Sequence, residues 1–198
     1  MTEVDYYFKT IKEEIAKLMD NVSTSTLIDV KKCIISAKKT GNRVHVTGIG
    51  KPSYVAGYIS SLLSSTGTPS YFLDGTEAIH GSSGQVVEGD IVIALSNSGE
   101  TRELKATVNT LKNNGAIIVA VTGNKESWLA KQSDYTLIAG VSKEGDSLNK
   151  PPRASVIAEM VILQSLTVLL QEDVGLDSEQ YVKWHPGGAL GQSIKRPL

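Results

Sequence analysis

The sequence predicts an α/β protein, a three-layer αβα sandwich around a five-stranded parallel sheet, and three features point to it. Short runs rich in β-branched residues alternate with helical patterns from residue 44 onward. Two of these runs, 91–95 and 117–121, are apolar throughout, as expected of central parallel strands covered on both faces. Helical patterns also precede the first strand and follow the last, so both faces have helices to cover them.

Two helices are predicted before the sheet, over residues 1–40. The first is expected over 4–19, where the apolar residues recur at helical spacing. Its apolar stripe comprises Tyr7, Ile11, Ile15 and Leu18. The second starts with a hydroxyl cap at residue 23 or 24 and stops at Gly41.

The sheet elements follow in the order expected of a doubly wound fold. The predicted strands are 44–47, 70–73, 91–95, 117–121 and 135–138. The predicted helices after the first strand are 54–65, 101–113, 126–131, 154–171 and 178–183. Right-handed crossovers between parallel strands then give a flavodoxin-like strand order, 2-1-3-4-5.

Length and composition fit one domain. A chain of 198 residues supports one sizeable core, so residues 1–198 are expected to form a single domain, with the sheet over 41–198. The 20 basic and 21 acidic side chains nearly balance, so a nucleic-acid partner is not expected. The single cysteine, Cys33, excludes a disulfide within the chain.

No segment has the composition of a secretory signal or a membrane span. Residues 1–17 mix acids, lysines and aromatics. The longest apolar segment, 154–170, is interrupted by Glu159 and Gln164, which predicts a buried helix. A cytoplasmic protein without a membrane partner is therefore expected.

Two loops carry the residues that point to a ligand site. One, 48–53, follows the first strand, and the other, 96–101, follows the third. In open parallel sheets the ligand crevice lies beyond the carboxyl ends of the strands, where the strand order reverses. The order 2-1-3-4-5 makes these two strands neighbours, so both loops are expected to flank one crevice.

The loop after the third strand has the composition of a phosphate site. Its candidate donors are Ser96, Asn97, Ser98 and Thr101. Hydroxyl and backbone N–H groups at the start of a helix bind anions, and the helix dipole favours negative charge there. The alternative is simple capping of the following helix, which needs one hydroxyl, whereas this loop offers three.

The loop after the first strand contains glycine and lysine but matches no nucleotide-binding motif. A Walker loop requires glycine where His45 stands, and a dinucleotide fingerprint requires glycine where Ser53 stands. Gly48 and Gly50 still let a ligand approach the backbone closely. Lys51 can present its charge to a phosphate or a developing enolate oxygen, the alternative being a solvated surface lysine.

Two of the three histidines lie in glycine-rich loops that suit a catalytic site. His80 follows the second strand, and His185 lies near the C-terminus. Moving a proton between adjacent sugar carbons needs groups that titrate near neutral pH, such as histidine or a glutamate of elevated pKa. Each histidine could instead bond only to loop backbone. His45 lies inside the first strand, where a structural role is the stronger explanation.

The spacing of the three histidines forms no metal-ligand motif, and one cysteine adds none. Neither a metal nor an organic cofactor is expected.

Six segments, taken in order, resemble a known family. They are Gly-Ile-Gly-Lys at 48–51, Ser-Thr-Gly-Thr-Pro at 65–69, Glu-Ala-Ile-His-Gly at 77–81, Ala-Leu-Ser-Asn-Ser-Gly-Glu-Thr at 94–101, Val-Thr-Gly-Asn at 121–124 and His-Pro-Gly-Gly-Ala-Leu-Gly at 185–191. Together they are similar to the SIS (sugar isomerase) domain of arabinose-5-phosphate isomerases. The resemblance implies a homo-oligomer, a dimer or tetramer, whose subunits share active sites. It also implies interconversion of D-arabinose 5-phosphate and D-ribulose 5-phosphate through an enediol.

The same resemblance implies roles for individual residues. The implied catalytic set comprises Lys51, His80, Glu100 and His185. The implied phosphate contacts comprise Gly50, Ser53, Ser96, Asn97, Ser98 and Thr101.

The chain departs from the family at several positions, one of which is Ser82, where aspartate is frequent. Pro52 and Ser53 stand where serine and glycine are usual, and Arg153 stands where threonine is usual. Arg153 is either an additional anion clamp for the substrate or a surface residue at a helix start. The CBS domains of longer members, and the nucleotide regulation that they bring, are not expected.

Two alternative functions remain open from the sequence. One is a 6-phospho-3-hexuloisomerase, a similarly small SIS protein, against which the His-Pro-Gly-Gly segment counts. The other is a binding module that senses a phosphosugar and regulates a partner without chemistry, which the departures at Pro52 and Arg153 keep open.

Overall fold

A computed structural model describes residues 2–188. Its helices are α1 (Glu3–Asn21), α2 (Thr24–Lys39), α3 (Lys51–Ser65), α4 (Gly75–Ala78), α5 (Arg102–Asn113), α6 (Trp128–Gln132), α7 (Ala154–Val174) and α8 (Ser178–Trp184). Its strands are β1 (Val44–Gly48), β2 (Ser70–Asp74), β3 (Ile91–Leu95), β4 (Ile117–Thr122) and β5 (Tyr135–Ile138). Every predicted strand and helix is present, with ends that differ from the prediction by a few residues only.

The five strands form one parallel sheet in the order β2-β1-β3-β4-β5, so the predicted order is confirmed. Val44 of β1 lies opposite Ser70 of β2 and Ile91 of β3. At the other end of β1, Gly48 lies opposite Asp74 and Leu95. The strand order therefore reverses at β1 and β3, which are neighbours in the sheet.

Alternate side chains of each central strand enter two separate cores. Ile91, Ile93 and Leu95 of β3 belong to the core formed with α1, α2, α3 and α7. Val92 and Ala94 belong to the core on the opposite face, with α4, α5 and α6. Because both faces are covered, the whole of β3 is apolar, and the predicted three-layer sandwich is confirmed.

The buried side of α1 differs from the predicted apolar stripe. Only Leu18 of that stripe is fully buried, and the other buried residues of α1 are Thr10 and Glu14. The Glu14 carboxylate accepts hydrogen bonds from the N–H of Ser142 at 2.7 Å and from its hydroxyl at 2.6 Å. These bonds compensate the lost hydration, so an acidic side chain can occupy a buried position.

α7 runs the full height of the sandwich. Its last residue, Val174, packs against Gly67, which precedes β2 at the amino edge of the sheet. At about 1.5 Å per residue, its 21 residues extend roughly 31 Å, so the helix begins at the carboxyl edge. Within residues 2–188 it is the one helix long and apolar enough to cross a bilayer, yet half of that stretch is buried inside the protein.

Two short elements after β2 were not predicted. α4 follows β2 directly, because the Asp74 carboxylate accepts from the N–H groups of Thr76 and Glu77 and caps the turn. A single 3-10 turn then covers Ser82–Gln85. Elements of four residues carry too little periodicity for a sequence pattern to reveal them.

Candidate active site

The loops 48–53 and 96–101 leave neighbouring strands at the same edge of the sheet. Gly48 and Leu95, the last residues of β1 and β3, are register partners. α3 then packs on one face of the sheet and α5 on the other. The two loops therefore diverge around a crevice at the switch in strand order, where open parallel sheets bind ligands.

Internal hydrogen bonds hold the hydroxyl groups of the 96–101 loop in a tight turn. The Ser96 hydroxyl lies 3.1 Å from the Thr101 hydroxyl and accepts from the Gly99 N–H at 3.1 Å. The Ser98 hydroxyl accepts from the Glu100 N–H at 3.2 Å. Several polar groups thus converge on the start of α5.

Close packing behind this turn requires glycine. Gly99 has a φ of +65°, and a Cβ atom there would lie 2.2 Å from the Ser127 hydroxyl. The Asn97 carbonyl accepts from the Gly123 N–H at 2.9 Å. The loop is therefore seated on the connection between β4 and α6, which fixes its orientation.

Simple helix capping does not describe the 96–101 loop. Thr101 occupies the N-cap position of α5, but its side chain makes no capping hydrogen bond and contacts Ser96 instead. The first N–H groups of α5 are therefore left without a side-chain cap from Thr101, at the positive end of the helix dipole. An anion is the partner that such a helix start favours.

The 48–53 loop offers fewer free donors. A Cβ atom at Gly48 would lie 2.9 Å from the carbonyl carbon of Pro52, so the turn requires glycine. Gly50, with a φ of +65°, is the N-cap of α3 and supplies no capping side chain. The Ser53 hydroxyl donates to the Gly50 carbonyl at 2.6 Å, and Pro52 has no N–H. Lys51 is exposed, and it is the charged group of this loop.

Glu100 is held in its ionised form from two sides. Its carboxylate accepts from the Lys105 ammonium at 2.5 Å and from the Trp128 N–H at 2.7 Å. The hydrogen bond from Lys105, followed by that from Trp128, lowers the pKa of Glu100 below its ordinary value. The expectation of a proton carrier with an elevated pKa does not apply to Glu100, because its partners favour the charged form.

His80 is exposed on the segment that borders the 48–53 loop. A Cβ atom at Gly75, the first residue of α4, would lie 2.7 Å from the Ile49 side chain. The His80 N–H donates to the Glu77 carbonyl at 2.9 Å, so the residue ends a helical turn instead of lying in an irregular loop. His80 comes two residues after α4, which starts directly after the last residue of β2.

His185 lies away from this crevice in the same chain. Its ring stacks on Tyr181 at 4.1 Å, and Nδ1 lies 2.7 Å from the Tyr181 carbonyl oxygen. The adjacent Trp184 lies 3.3 Å from a Cβ built on Gly67, at the amino edge of the sheet. The two edges are separated by roughly 13 Å along β1 alone. Residues 189–191 of the same motif lie outside the described residues.

Arg153 is engaged at the start of α7. Its guanidinium pairs with Asp146, and its N–H donates to the Glu144 carboxylate at 2.7 Å. The Ser155 N–H donates to the same oxygen of Glu144 at 3.1 Å, so Glu144 caps α7. Arg153 thus lies at a helix start, and one nitrogen of its guanidinium pairs with Asp146.

His45 is buried in β1, with Nε2 3.2 Å from a carboxylate oxygen of Asp90. Burial lowers the pKa of His45, although Asp90 acts in the opposite direction, so the ring is neutral. This environment agrees with the structural role predicted for His45. Within residues 2–188 no group of three or more His, Cys, Asp or Glu side chains could hold a metal ion.

A doubly wound α/β protein with an uncapped, hydroxyl-rich helix start at its switch point has the features of a phosphate-binding class. The chain belongs to the SIS domain family, because residues 38–169 match that domain.

Relatives and solved structures agree with this membership. Arabinose 5-phosphate isomerase KdsD of Pseudomonas aeruginosa is 40% identical over 165 residues, which cover 83% of this chain and 50% of that protein. A structure from E. coli CFT073, in complex with arabinose 5-phosphate, is 30% identical with a TM-score of 0.86, over 92% of this chain and 95% of that one. The chain spans about half the length of the curated relatives it matches.

The fold also occurs in a more distant protein. The Vibrio vulnificus NanR protein complexed with ManNAc-6P has a TM-score of 0.76 at 18% identity, over 97% of this chain and 67% of that one. This similarity concerns the fold alone.

Proposed function

We propose that this chain is a cytoplasmic aldose–ketose isomerase, one domain over residues 1–198, that interconverts D-arabinose 5-phosphate and D-ribulose 5-phosphate. The observation that carries the proposal is the 96–101 loop at the switch in strand order. The start of α5 there has no side-chain cap, and the loop offers hydroxyl and N–H donors to a phosphate. The relatives support the choice of sugar, since one is named an arabinose 5-phosphate isomerase and another holds arabinose 5-phosphate.

The phosphate anchors the sugar so that its first two carbons lie near Lys51 and Glu100. A base removes the proton from carbon two of the aldose, and the resulting enediol takes a proton at carbon one to give the ketose. Glu100, His80 and His185 are the candidate proton carriers, and Lys51 stabilises the charge that develops on the sugar oxygen. Substrate and product are isomers, so no co-reactant is required.

We infer that the active protein is a homo-oligomer with shared sites. His185 lies at the amino edge, so a second copy is needed to bring this side chain to the crevice. α3 and α7 also expose apolar side chains: Tyr54 is 79% exposed and Val168 is 66% exposed. Such residues suit an interface between copies of the chain.

Proton exchange with solvent tests the activity. D-arabinose 5-phosphate incubated with the protein in D2O should yield D-ribulose 5-phosphate with deuterium at carbon one, followed by NMR. Glu100→Gln should lower the rate roughly a hundredfold or more, because the amide accepts no proton. Neither conversion nor exchange in the wild-type protein would contradict the proposal.

Subunit mixing tests the shared site. Lys51→Ala and His185→Ala should each be inactive alone. After joint unfolding and refolding, the mixture should recover up to about a quarter of the wild-type activity, the random fraction of sites that contain neither substitution. A mixture that stays inactive would show that both residues act within one chain.

A phosphosugar sensor is the second candidate function. It is favoured by the 48–53 loop, where Pro52 lacks an N–H and the Ser53 hydroxyl is used by Gly50. A sensor should be stabilised against heat by the sugar phosphate yet produce no exchange at carbons one and two.

A further inference from the structure

The first two turns of α7 contain two buried polar atoms without a hydrogen-bond partner within residues 2–188. They are the Ser155 hydroxyl and the Oε2 atom of Glu159. Each residue is 1% exposed. They stand four positions apart and share the side of α7 that buries Ile162 and Leu166 in the sheet-facing core. Unpaired buried polar groups cost free energy, and a ligand that hydrogen-bonds to them offsets that cost.

The position along α7 places this pair at the height of the 48–53 loop. Gln164 of α7 donates to the Tyr58 hydroxyl of α3 at 3.0 Å, which sets the two helices against each other. Both helices run from the carboxyl edge to the amino edge. Each residue of a helix advances about 1.5 Å along its axis. Counting five residues back toward the start of each helix leads from Gln164 to Glu159 in α7 and from Tyr58 to Ser53 in α3. Glu159 is therefore level with the first turn of α3.

The protonation of Glu159 suits a neutral ligand. Burial, followed by the nearby charge of Glu144, raises the pKa of Glu159 to about 8. Glu159 is therefore protonated at neutral pH, and its carboxyl group can both donate and accept a hydrogen bond, as the Ser155 hydroxyl can. Sugar hydroxyls match these groups, whereas an anion would be repelled by Glu144.

We propose that Ser155 and Glu159 form a hydroxyl-binding subsite for the carbon chain of the phosphosugar, next to the loops that hold its phosphate. This inference rests on the proposed function and adds residues that recognise the sugar instead of the phosphate. It also gives a reason for the acidic residue that interrupts the most apolar segment of the chain.

Steady-state kinetics with D-arabinose 5-phosphate test the subsite, with inorganic phosphate as a competitive inhibitor. Ser155→Ala and Glu159→Met should each raise KM roughly tenfold, with kcat within about twofold of the wild-type value, because a hydrogen bond to bound sugar is lost. The inhibition constant of inorganic phosphate should stay unchanged. Glu159→Gln should recover most of the affinity, since the amide keeps a donor and an acceptor.

Thr167→Val is the matched control, because Thr167 is buried two turns further along α7 and its hydroxyl donates to the Gln164 carbonyl at 2.7 Å. It should leave KM unchanged. Thermal unfolding should show that Glu159→Met is folded, since an apolar residue replaces an unpaired carboxyl group.

Unchanged KM values in active Ser155→Ala and Glu159→Met proteins would overturn the subsite alone. Equal weakening of inorganic phosphate and of the sugar phosphate would also overturn it, because the effect would then lie in the phosphate loops. A wild-type protein that neither binds nor converts the sugar phosphate would overturn the proposed function together with the subsite.

Discussion

Two fully buried carboxyl groups lie in opposite halves of the sandwich and have opposite surroundings. Asp90, just before β3 at the amino edge, accepts from two backbone N–H groups and an asparagine side chain and contacts His45. Burial raises the pKa of Asp90, but these hydrogen bonds outweigh it and the pKa is lowered. Glu159, near the carboxyl edge, has an oxygen without a partner within residues 2–188 and a pKa raised to about 8.

The hydrogen-bonded Asp90 therefore stabilises the fold, whereas the partly unpaired Glu159 lowers its stability. The Asp90 carboxylate ties the segment before β1 to the segment before β3, so it belongs to the scaffold. Glu159 breaks the apolar pattern of α7 without compensation from the described chain. Violations of this kind concentrate at functional sites, where a ligand can complete the missing bonds. The comparison therefore predicts loss of stability at the amino edge and loss of function at the carboxyl edge.

The largest effect is expected from Lys51→Ala at the carboxyl edge. It should lower kcat/KM for D-arabinose 5-phosphate roughly a thousandfold, about 4 kcal/mol of transition-state stabilisation, because the proposed function assigns to Lys51 the charge that stabilises the developing oxyanion. The unfolding temperature should not change. Lys39→Ala, an exposed lysine at the end of α2, is the control and should keep full activity. If Lys51→Ala lowered the unfolding temperature and kept full activity, Lys51 would serve the stability of the fold and not the reaction, which contradicts the prediction for the carboxyl edge.

Asp90→Ala should have the opposite profile. Loss of the carboxylate leaves buried N–H groups unpaired and should lower the free energy of unfolding by about 3 kcal/mol in urea titrations. The folded fraction should keep its kcat. Asp29→Ala is the control, since Asp29 pairs with Lys32 on the surface of α2 and should change stability by less than about 0.5 kcal/mol.

Glu159→Gln should stabilise the protein at high pH. A carboxyl group with a raised pKa holds its proton in the folded state between pH 4.5 and about 8, where the unfolded chain has lost it. The free energy of unfolding therefore falls as pH rises through this window, and the amide removes that fall. At pH 8 the variant should be more stable than the wild type by roughly 4 kcal/mol, and near pH 4.5 the two should agree.

Gln171→Ala, at the exposed end of α7, replaces a side chain that does not titrate, so any change in stability should be the same at pH 4.5 and at pH 8. Equal stability of Glu159→Gln and the wild-type protein at both pH values would mean that Glu159 is ionised or solvated in the fold.

The smallest effect is expected from substitution of His45, and it concerns the pH dependence of the free energy of unfolding. Burial lowers the pKa of His45 from its usual 6.5, so the unfolded state binds more protons below that pH and stability falls as pH falls. His45→Gln should flatten this slope below pH 6.5 in urea titrations.

Local patterns predicted the elements and the place of the crevice. The apolar run of β3 and the hydroxyls of the 96–101 loop each lie within a few consecutive residues, so their spacing carries the signal. The apolar stripe of α1 was only partly right, because it omitted Glu14, whose burial depends on Ser142, far away in the sequence. Lys105, the partner of Glu100, was missed, since no motif links the two positions.

The sequence by itself determined the succession of helices and strands, their order in the sheet and the chemistry of two loops, because these depend on neighbours along the chain. Only the tertiary structure decided that Glu100 is held ionised, that His185 lies at the amino edge and that Glu159 has an oxygen without a partner among the described residues. Distances between segments and the exclusion of water arise when remote residues pack together, and protonation follows from both.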